Sequence, residues 1–396
     1  MTQPIGLISG RFFNHPVFSM GFRPFFLLAG LQAALLVPVW LAQLLMNMDL
    51  GLPYSPALWH GHEMVFGFAG AAVAGFLLTA VPNWTATAVR QGPPVAALAG
   101  LWLAARIAFW CAGVLPPWIP AVLALAFFPA VASVLAGPLI SAGKWRNMVF
   151  LPILGALTLA DALVQAEMLG ITQTGRSGLV LGIFSLLLMI TIVGGRIIPL
   201  FTANGLRPLG IAVQPKARPR LDRWSIGLLV AAGLAVLIMP GGRVTGTLLF
   251  AASALHMVRL SGWFGWRTAP VPLLWVLHLG YLWLPFGLLL LGLSSFVPAL
   301  RPEPALHALT VGCIGMMVLG VMSRVALGHT GRPLVAAKPT AVAYGLIFLA
   351  AAVRVFGVMI DYPAALWLSA ALWSAGYLVF VTLYAPLCLQ ARADGR

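Results

Sequence analysis

Histidines are the residues of this sequence best suited to chemistry in an apolar environment. A neutral imidazole can bind iron or copper without bringing charge into a low-dielectric site. Acidic residues are scarce in the apolar stretches, where Glu63, Asp161 and Glu167 are the clear cases. Histidines outnumber them there, which favours a metal or heme site over a proton-coupled transporter. The histidines in these stretches or at their ends are His60, His62, His256, His278, His307 and His329.

Spacing along the chain separates these histidines into two layers. The outer layer is predicted to bind copper or a second metal and consists of His60, His62 and His307. The inner layer is predicted to bind heme and consists of His256, His278 and His329. About 33 Å of helix separates His307 from His329, so those two cannot share an ion. The alternative for any one histidine is structural, as a side chain that caps a helix end.

The run His60-Gly61-His62-Glu63 carries a narrower prediction. On an α-helix His60 and His62 point about 200° apart, so both reach one ion only if Gly61 interrupts the helix. His60 and Glu63 are three residues apart and share a helix face. Glu63 is therefore the candidate catalytic residue, as a metal ligand or as a proton donor.

The inner layer suits a heme held from both sides. His256 and His278 lie at similar depth on consecutive antiparallel helices, where two neutral imidazoles can bind one iron. Arg196 and Arg324 lie near the cytoplasmic ends of their helices, where they could meet heme propionates or extend to lipid headgroups. The candidate cofactor-binding residues are His278, His256, His329, Arg196 and Arg324.

These residues need a membrane scaffold, and the composition predicts one. Of 396 residues, 61% are hydrophobic and 8% are charged, against about 25% charged in soluble proteins. That excludes a soluble enzyme, a disordered chain and a secreted disulfide scaffold. Since about 20 apolar residues cross a bilayer core, the predicted fold is an all-α polytopic membrane bundle of about twelve transmembrane helices. The apolar stretches lie at 25–46, 58–82, 94–113, 117–140, 148–170, 177–202, 224–240, 243–260, 272–296, 304–327, 339–360 and 363–388.

Positive charges set the predicted orientation. Lys and Arg collect in the loops that are cytoplasmic when the N-terminus is inside, whereas Arg176, Arg243 and Arg301 fall in the opposite loops. Both termini are therefore predicted to be cytoplasmic. The net charge of +15 then reflects membrane topology, and no nucleic-acid partner is expected. Within the membrane, Arg106 and Asp161 lie at similar depth and are predicted to neutralise each other.

The longest break between apolar stretches divides the chain in two. It is rich in arginine, and it separates six helices from six. The predicted segments are a cytoplasmic N-terminal segment at 1–24, helices at 25–202, a basic cytoplasmic linker at 203–223, helices at 224–388 and a cytoplasmic tail at 389–396.

Several motifs resemble the NnrS family, and together they extend over most of the chain. They lie at 21–26, 58–64, 76–84, 195–199, 277–281, 307–312 and 323–333. The resemblance implies a multi-pass protein of the bacterial inner membrane that contains heme, taken as b-type, and copper. It also implies a role in nitric oxide metabolism and protection from nitrosative stress. The motifs include His60, His62, His278, His307 and His329, whereas His256 lies in a less distinctive stretch.

Three functions remain open on this basis. The first is a redox enzyme that reduces nitric oxide at a buried heme–metal site, with an unidentified electron donor and membrane lipid as further partners. Nitric oxide is small, uncharged and lipid-soluble, so it can reach a buried heme without a polar channel. The second is a heme- or metal-dependent protein that binds or senses nitric oxide without turnover. The third is a secondary transporter, which would need carboxylates and broken helices at the midplane.

Overall fold

The structure is a computed structural model that describes residues 12–215 and 218–395. Its described part contains twelve helices long and apolar enough to cross a membrane, which confirms the predicted all-α polytopic bundle. The cytoplasmic placement of the termini stays a prediction, and Arg11, Lys216 and Arg396 of the charge argument lie outside the described residues. We number the helices α1 Phe22–Leu45, α2 Pro56–Thr85, α3 Pro93–Trp110, α4 Trp118–Ser141, α5 Trp145–Met168, α6 Gly175–Leu209, α7 Pro219–Ile238, α8 Arg243–Ser261, α9 Pro272–Ser294, α10 Pro302–His329, α11 Lys338–Met359 and α12 Tyr362–Leu389.

Helix boundaries follow local sequence signals. Proline occupies the first turn of several helices, where its missing N–H has no helical partner in any case, as at Pro56 and Pro272. Ser55 caps α2 by accepting a hydrogen bond from the backbone N–H of Leu58 at 3.3 Å. Between α7 and α8 the chain turns at Gly241, whose φ of 74° favours glycine.

The described chain forms two compact units. The first comprises the chain through Gly182 together with Val325–Pro333 and the residues from Phe380 onward. The second comprises Ile183–Arg324 and Leu334–Val379. Helix α6 continues to Leu209 and α7 begins at Pro219, so most of the segment predicted as a linker at 203–223 is helical.

Two helices change from α to π geometry directly after a predicted histidine. In α2, Pro56–His62 is α-helical and Glu63–Ala69 is a π segment. In α10, Pro302–His307 is followed by a π segment at Ala308–Gly315. A π segment widens the helix and turns the following residues to a new face, and such segments are frequent at functional sites.

Neighbouring aromatic side chains donate hydrogen bonds to backbone carbonyls of the two π segments. In the first unit, Trp102 Nε1 donates to the Gly67 carbonyl at 3.0 Å. In the second unit, the Tyr377 hydroxyl donates to the Gly315 carbonyl at 2.9 Å. Each π segment therefore has an aromatic side chain that donates a hydrogen bond to one of its carbonyls.

Glycines in α2 and α10 let large side chains pack against the helix backbone. A Cβ at Gly75 would lie 2.9 Å from the ring of Phe26, and one at Gly312 would lie 2.5 Å from the indole of Trp283. These contacts indicate that the two glycines allow close packing.

Candidate functional site

The first unit buries a set of polar side chains that we call the acid–histidine cluster. Its members come from four helices, and two of them lie four residues apart on one face of α5. The side chains of His62 and Glu63 are fully buried, and Asp161 is 1% exposed. The cluster consists of Gln32 from α1, His62 and Glu63 from α2, Arg106 from α3, and Asp161 and Gln165 from α5.

His62 lies between the two carboxylates of the cluster. Its Nδ1 is 2.9 Å from Glu63 Oε1, and its Nε2 is 3.0 Å from Asp161 Oδ1. Gln165 Nε2 is 2.8 Å from His62 Nε2 and 2.9 Å from Asp161 Oδ1. Both ring nitrogens are therefore occupied by neighbouring polar groups, and the ring is held in one orientation.

Glu63 joins the cluster to α1 and α3. Its Oε2 accepts a hydrogen bond from Gln32 Nε2 at 2.8 Å, and Arg106 Nη1 lies 3.3 Å from its Oε1. The predicted neutralisation of Arg106 by Asp161 is therefore wrong, since the ion pair of Arg106 is with Glu63. Gly67 in the π segment explains the path of the guanidinium, because a Cβ there would lie 2.6 Å from Arg106 Nη1.

A small cavity of about 10 Å³ adjoins the cluster. That volume matches about one water molecule. Its charged lining groups are Arg106 and Asp161, and aromatic rings form most of the remaining wall. The buried Nε of Arg106 has no hydrogen-bond partner within the described part of the chain. A buried polar side chain with unused bonding capacity thus borders a cavity of the right size for water.

The histidines of the predicted outer layer belong to both units. Helix α2 continues through Gly61, so His60 and His62 project from different sides, and the break needed for a shared ion is missing. The ring of His60 stacks on Trp40 with centroids 4.1 Å apart. His307 lies in the second unit, where its Nδ1 is 2.7 Å from the carbonyl of Glu303 one turn earlier.

Metal ligation in the outer layer stays a prediction without geometric support. Among residues 12–215 and 218–395, no group of three or more His, Cys, Asp and Glu side chains is arranged to hold a metal ion. In the acid–histidine cluster the nitrogens of His62 face the carboxylates of Glu63 and Asp161 directly. The donor atoms point at one another rather than at a common centre.

In the second unit, His256 is hydrogen-bonded to Tyr281. His256 Nδ1 is 2.7 Å from the Tyr281 hydroxyl, which also accepts a hydrogen bond from Arg259 Nη1 at 2.8 Å. A guanidinium can only donate, so the phenolic proton goes to Nδ1 of His256. The neutral ring then carries its own proton on Nε2, and neither nitrogen offers a free lone pair.

Arg259 organises this region from a buried position. It lies in the last turn of α8 and is 4% exposed. Its Nε donates to Asp222 Oδ1 at 2.7 Å, and its Nη1 also donates to the Thr191 carbonyl at 2.8 Å. Gly195 borders the guanidinium so closely that a Cβ there would overlap Nη2.

His278, like His256, has one buried ring nitrogen without a hydrogen-bond partner among the described residues, Nδ1 in His278 and Nε2 in His256. Its Nε2 is 2.9 Å from the Thr202 hydroxyl, which donates to the Ile198 carbonyl one turn earlier at 2.8 Å. The Thr202 oxygen therefore accepts the proton of Nε2, so the lone pair of the neutral ring lies on Nδ1. That atom is buried without a hydrogen-bond partner among the described residues. It faces Gly265, where a Cβ would lie 2.8 Å away.

The other predicted cofactor residues lie in different settings. The Arg324 guanidinium is 3.9 Å from the ring centroid of Phe201, the residue that precedes Thr202. Arg196 is half-buried in α6. His329 belongs to the first unit, whereas His256 and His278 belong to the second.

The C-terminal tail meets the end of α10 at His329. Arg392 Nη1 donates to the His329 carbonyl at 3.0 Å, while its Nε and Nη2 donate to Asp394. The bonds to that carboxylate raise the pKa of Arg392.

Several residues of these sites were not predicted. Gln165 has a sequence signal, since it follows Asp161 by four residues within an apolar helix and shares its face. Gln32 is a polar residue in an equally apolar helix. The roles of Thr202 and Arg259 have no such signal, because their partners come from other helices.

Comparison with known proteins agrees with the motifs. No curated protein matches the chain. The family model described as NnrS protein matches residues 16–392, nearly the whole sequence. The twelve apolar helices and this match make the chain a multi-pass membrane protein that belongs to the NnrS family.

Proposed function

We propose that this protein acts in nitric oxide metabolism and nitrosative-stress protection in the bacterial inner membrane, and that it binds heme through His278. Membership of the NnrS family links the chain to the nitric oxide response. The observation that carries the heme proposal is the buried Nδ1 of His278, which has no hydrogen-bond partner among the described residues. Leaving a buried polar atom unsatisfied costs about 1–3 kcal/mol, and a metal would satisfy this one.

The donor set suits one protein ligand rather than two. His256 offers no free lone pair while Tyr281 and Arg259 hold it. His278 offers one on Nδ1, against which Gly265 packs so closely that a Cβ there would lie 2.8 Å away. When bound, heme would supply an iron that binds nitric oxide and exchanges electrons, and His278 would hold it.

Other residues of the second unit have supporting roles in this proposal. Thr202 fixes the tautomer of His278, since its hydroxyl oxygen accepts the Nε2 proton. Arg324, stacked on Phe201, offers a positive charge that a heme propionate would meet. The apolar helices admit a small uncharged gas and exclude water.

The proposal extends to enzymatic reduction of nitric oxide. Converting two molecules of nitric oxide to nitrous oxide and water consumes two electrons and two protons. Glu63 is the proposed proton donor, supported by its burial and its contact with His62. Copper would remain a second metal at the outer histidines His60, His62 and His307. Binding of nitric oxide without turnover, as in a sensor, is the alternative.

Optical spectroscopy of the purified full-length protein tests the proposal. The expected result is a heme spectrum that shifts with nitric oxide and is lost in His278→Ala. His256→Ala is the matched control, because it removes a buried histidine from the same unit and should keep the heme. Loss of heme in both variants, or none in the wild type, would overturn the assignment. Consumption of nitric oxide with an added reductant separates the enzyme from the sensor.

One observation favours secondary transport as a second candidate. A π segment begins at Glu63, beside a second buried carboxylate from α5. Interrupted helices next to buried acids are typical of transporter sites. Absence of any chromophore from active preparations would favour this function.

A further inference from the structure

We infer that the turn between α8 and α9, residues 262–268, is a lid over the Nδ1 atom of His278. Thr268 holds this lid closed, and Phe264 favours its opening. The inference rests on the proposed function, since the lid covers the nitrogen that is proposed to bind heme. All of the contacts that support it lie within the second unit.

Gly265 lies directly against the His278 ring. A Cβ at this glycine would lie 2.8 Å from Nδ1 and 3.1 Å from Cγ of the imidazole. The Nδ1 atom is buried, and His278 as a whole is 6% exposed. A metal on Nδ1 would need the space that Gly265 fills. Binding at this nitrogen therefore requires the turn to move away from the ring.

Thr268 holds Gly265 in this position. Its hydroxyl donates a hydrogen bond to the Gly265 carbonyl at 2.6 Å, and its backbone N–H donates to the same carbonyl at 3.0 Å. Thr268 is fully buried, so water does not compete for these bonds. Moving Gly265 away from His278 would break them, and they therefore keep the lid closed.

Phe264 acts in the opposite direction. Its φ of 58° lies in the left-handed region, which a bulky residue rarely adopts. Residues strained in this way cluster at ligand clamps and switch regions. The closed turn carries the cost of this conformation, and an open turn with Phe264 in an ordinary conformation would not. The lid is thus held by the bonds of Thr268 against a strained residue next to Gly265.

The lid is anchored at its start and exposed at its tip. Trp263 is 5% exposed, and its ring packs edge-on against Tyr281 with the centroids 4.6 Å apart. Trp266 at the tip is 65% exposed, and its ring contacts Phe264 within the lid. The tip can therefore swing outward while Trp263 stays on Tyr281.

Chemical labelling of the full-length protein prepared without heme tests the lid. Diethyl pyrocarbonate acylates an unprotonated imidazole nitrogen, and peptide mass spectrometry measures its rate at His278. Thr268→Val removes one bond to the Gly265 carbonyl and keeps the shape of the side chain. Labelling of His278 should become about fivefold faster, as expected for the loss of one buried hydrogen bond.

Thr245→Val is the matched control for Thr268→Val. Thr245 is also buried and also donates to backbone carbonyls, those of Ala235 and Met239, but it lies at the other end of α8. His278 should be labelled at the wild-type rate in this variant. Equal acceleration in both variants, or none in Thr268→Val, would overturn the lid.

A pair of variants at Phe264 tests the opposing strain. Phe264→Gly and Phe264→Ala both remove the ring, but only glycine adopts the left-handed conformation without cost. Labelling of His278 should be about fivefold slower in Phe264→Gly than in Phe264→Ala. Since misfolding speeds labelling, it cannot produce this order. Equal rates would show that the strain plays no part in opening.

Addition of hemin separates the lid from the heme proposal. Hemin should bind faster to Thr268→Val than to the wild type, and bound hemin should protect His278 from the reagent. If hemin binds at His278 while the lid variants label and load like the wild type, the lid is wrong and the heme site stands. If labelling follows the expected order but hemin does not bind, the lid stands and the heme proposal fails.

Discussion

The Tyr281 hydroxyl lies 2.7 Å from His256 Nδ1 and accepts a hydrogen bond from Arg259 Nη1 at 2.8 Å. This relationship joins α7, α8 and α9 in one network, since Arg259 also donates to Asp222. It gives a histidine that the sequence pairs with His278 as a heme ligand a buried partner of its own.

Tyr281→Phe should destabilise the protein by about 1–3 kcal/mol. The variant keeps the ring but leaves a buried imidazole and a buried guanidinium each short of one partner. Thermal unfolding in detergent measures the loss. Tyr54→Phe is the control, since Tyr54 lies outside this network, and it should unfold near the wild-type temperature. Equal unfolding temperatures for the two variants would contradict a structural role of the Tyr281 hydroxyl.

Gly195→Ala should abolish stable folding. The new methyl group would occupy the space of Arg259 Nη2, and that guanidinium is held by Asp222 and Tyr281. The yield of monodisperse protein and its unfolding temperature measure the effect.

Gly227→Ala is the matched control for Gly195→Ala. It also lies within a helix, but a Cβ there meets nothing within 4 Å. Replacing glycine by alanine in a helix should then stabilise the protein by up to about 1 kcal/mol. If Gly195→Ala folded as well as this control, the close approach of Arg259 to α6 would be wrong.

The sequence predicts the helices well and the sites only in part. Twelve helices follow from hydropathy, because a bilayer requires long apolar segments whatever their neighbours are. Depth in the membrane predicts that Arg106 lies near Asp161. The hydrogen-bonding partners of a side chain depend in addition on how its helix is rotated about its own axis. The π segment that begins at Glu63 changes the rotation of α2, and no residue pattern predicts this segment.

The same limit separates His256 from His278. Both are histidines on consecutive helices, and spacing treats them alike. The difference between them arises from Tyr281 on one side and Thr202 on the other. Such contacts join residues far apart in sequence, so the periodicity of a single sequence does not indicate them.

Arg106→Met should cost about 3–5 kcal/mol, because it leaves the carboxylate of Glu63 buried without its cation. The double variant with Glu63→Gln should recover part of this loss, since it removes the charge left behind. Chemical or thermal unfolding of the two single variants and the double variant gives the coupling energy. Additive effects would show that the 3.3 Å contact between Arg106 and Glu63 contributes nothing.

Arg23→Gln should loosen the end of α12. The buried Nη1 of Arg23 donates to the carbonyls of Leu387, Cys388 and Gln390 at 3.4, 3.0 and 2.5 Å. The last carbonyls of a helix have no partner within it, and here one guanidinium from α1 satisfies several of them. Hydrogen exchange of peptides from the C-terminal region should therefore rise in the variant.

Arg392→Gln is the control for Arg23→Gln, because Arg392 holds the tail beyond α12 through the His329 carbonyl and Asp394. It should loosen the tail and leave the last turn of α12 protected, since the bonds from Arg23 remain. If Arg23→Gln left the exchange of that turn unchanged, the helix end would be held by something other than this guanidinium. If both variants exposed the turn equally, the tail and the helix end would open as one unit, and Arg23 would not be the specific cap.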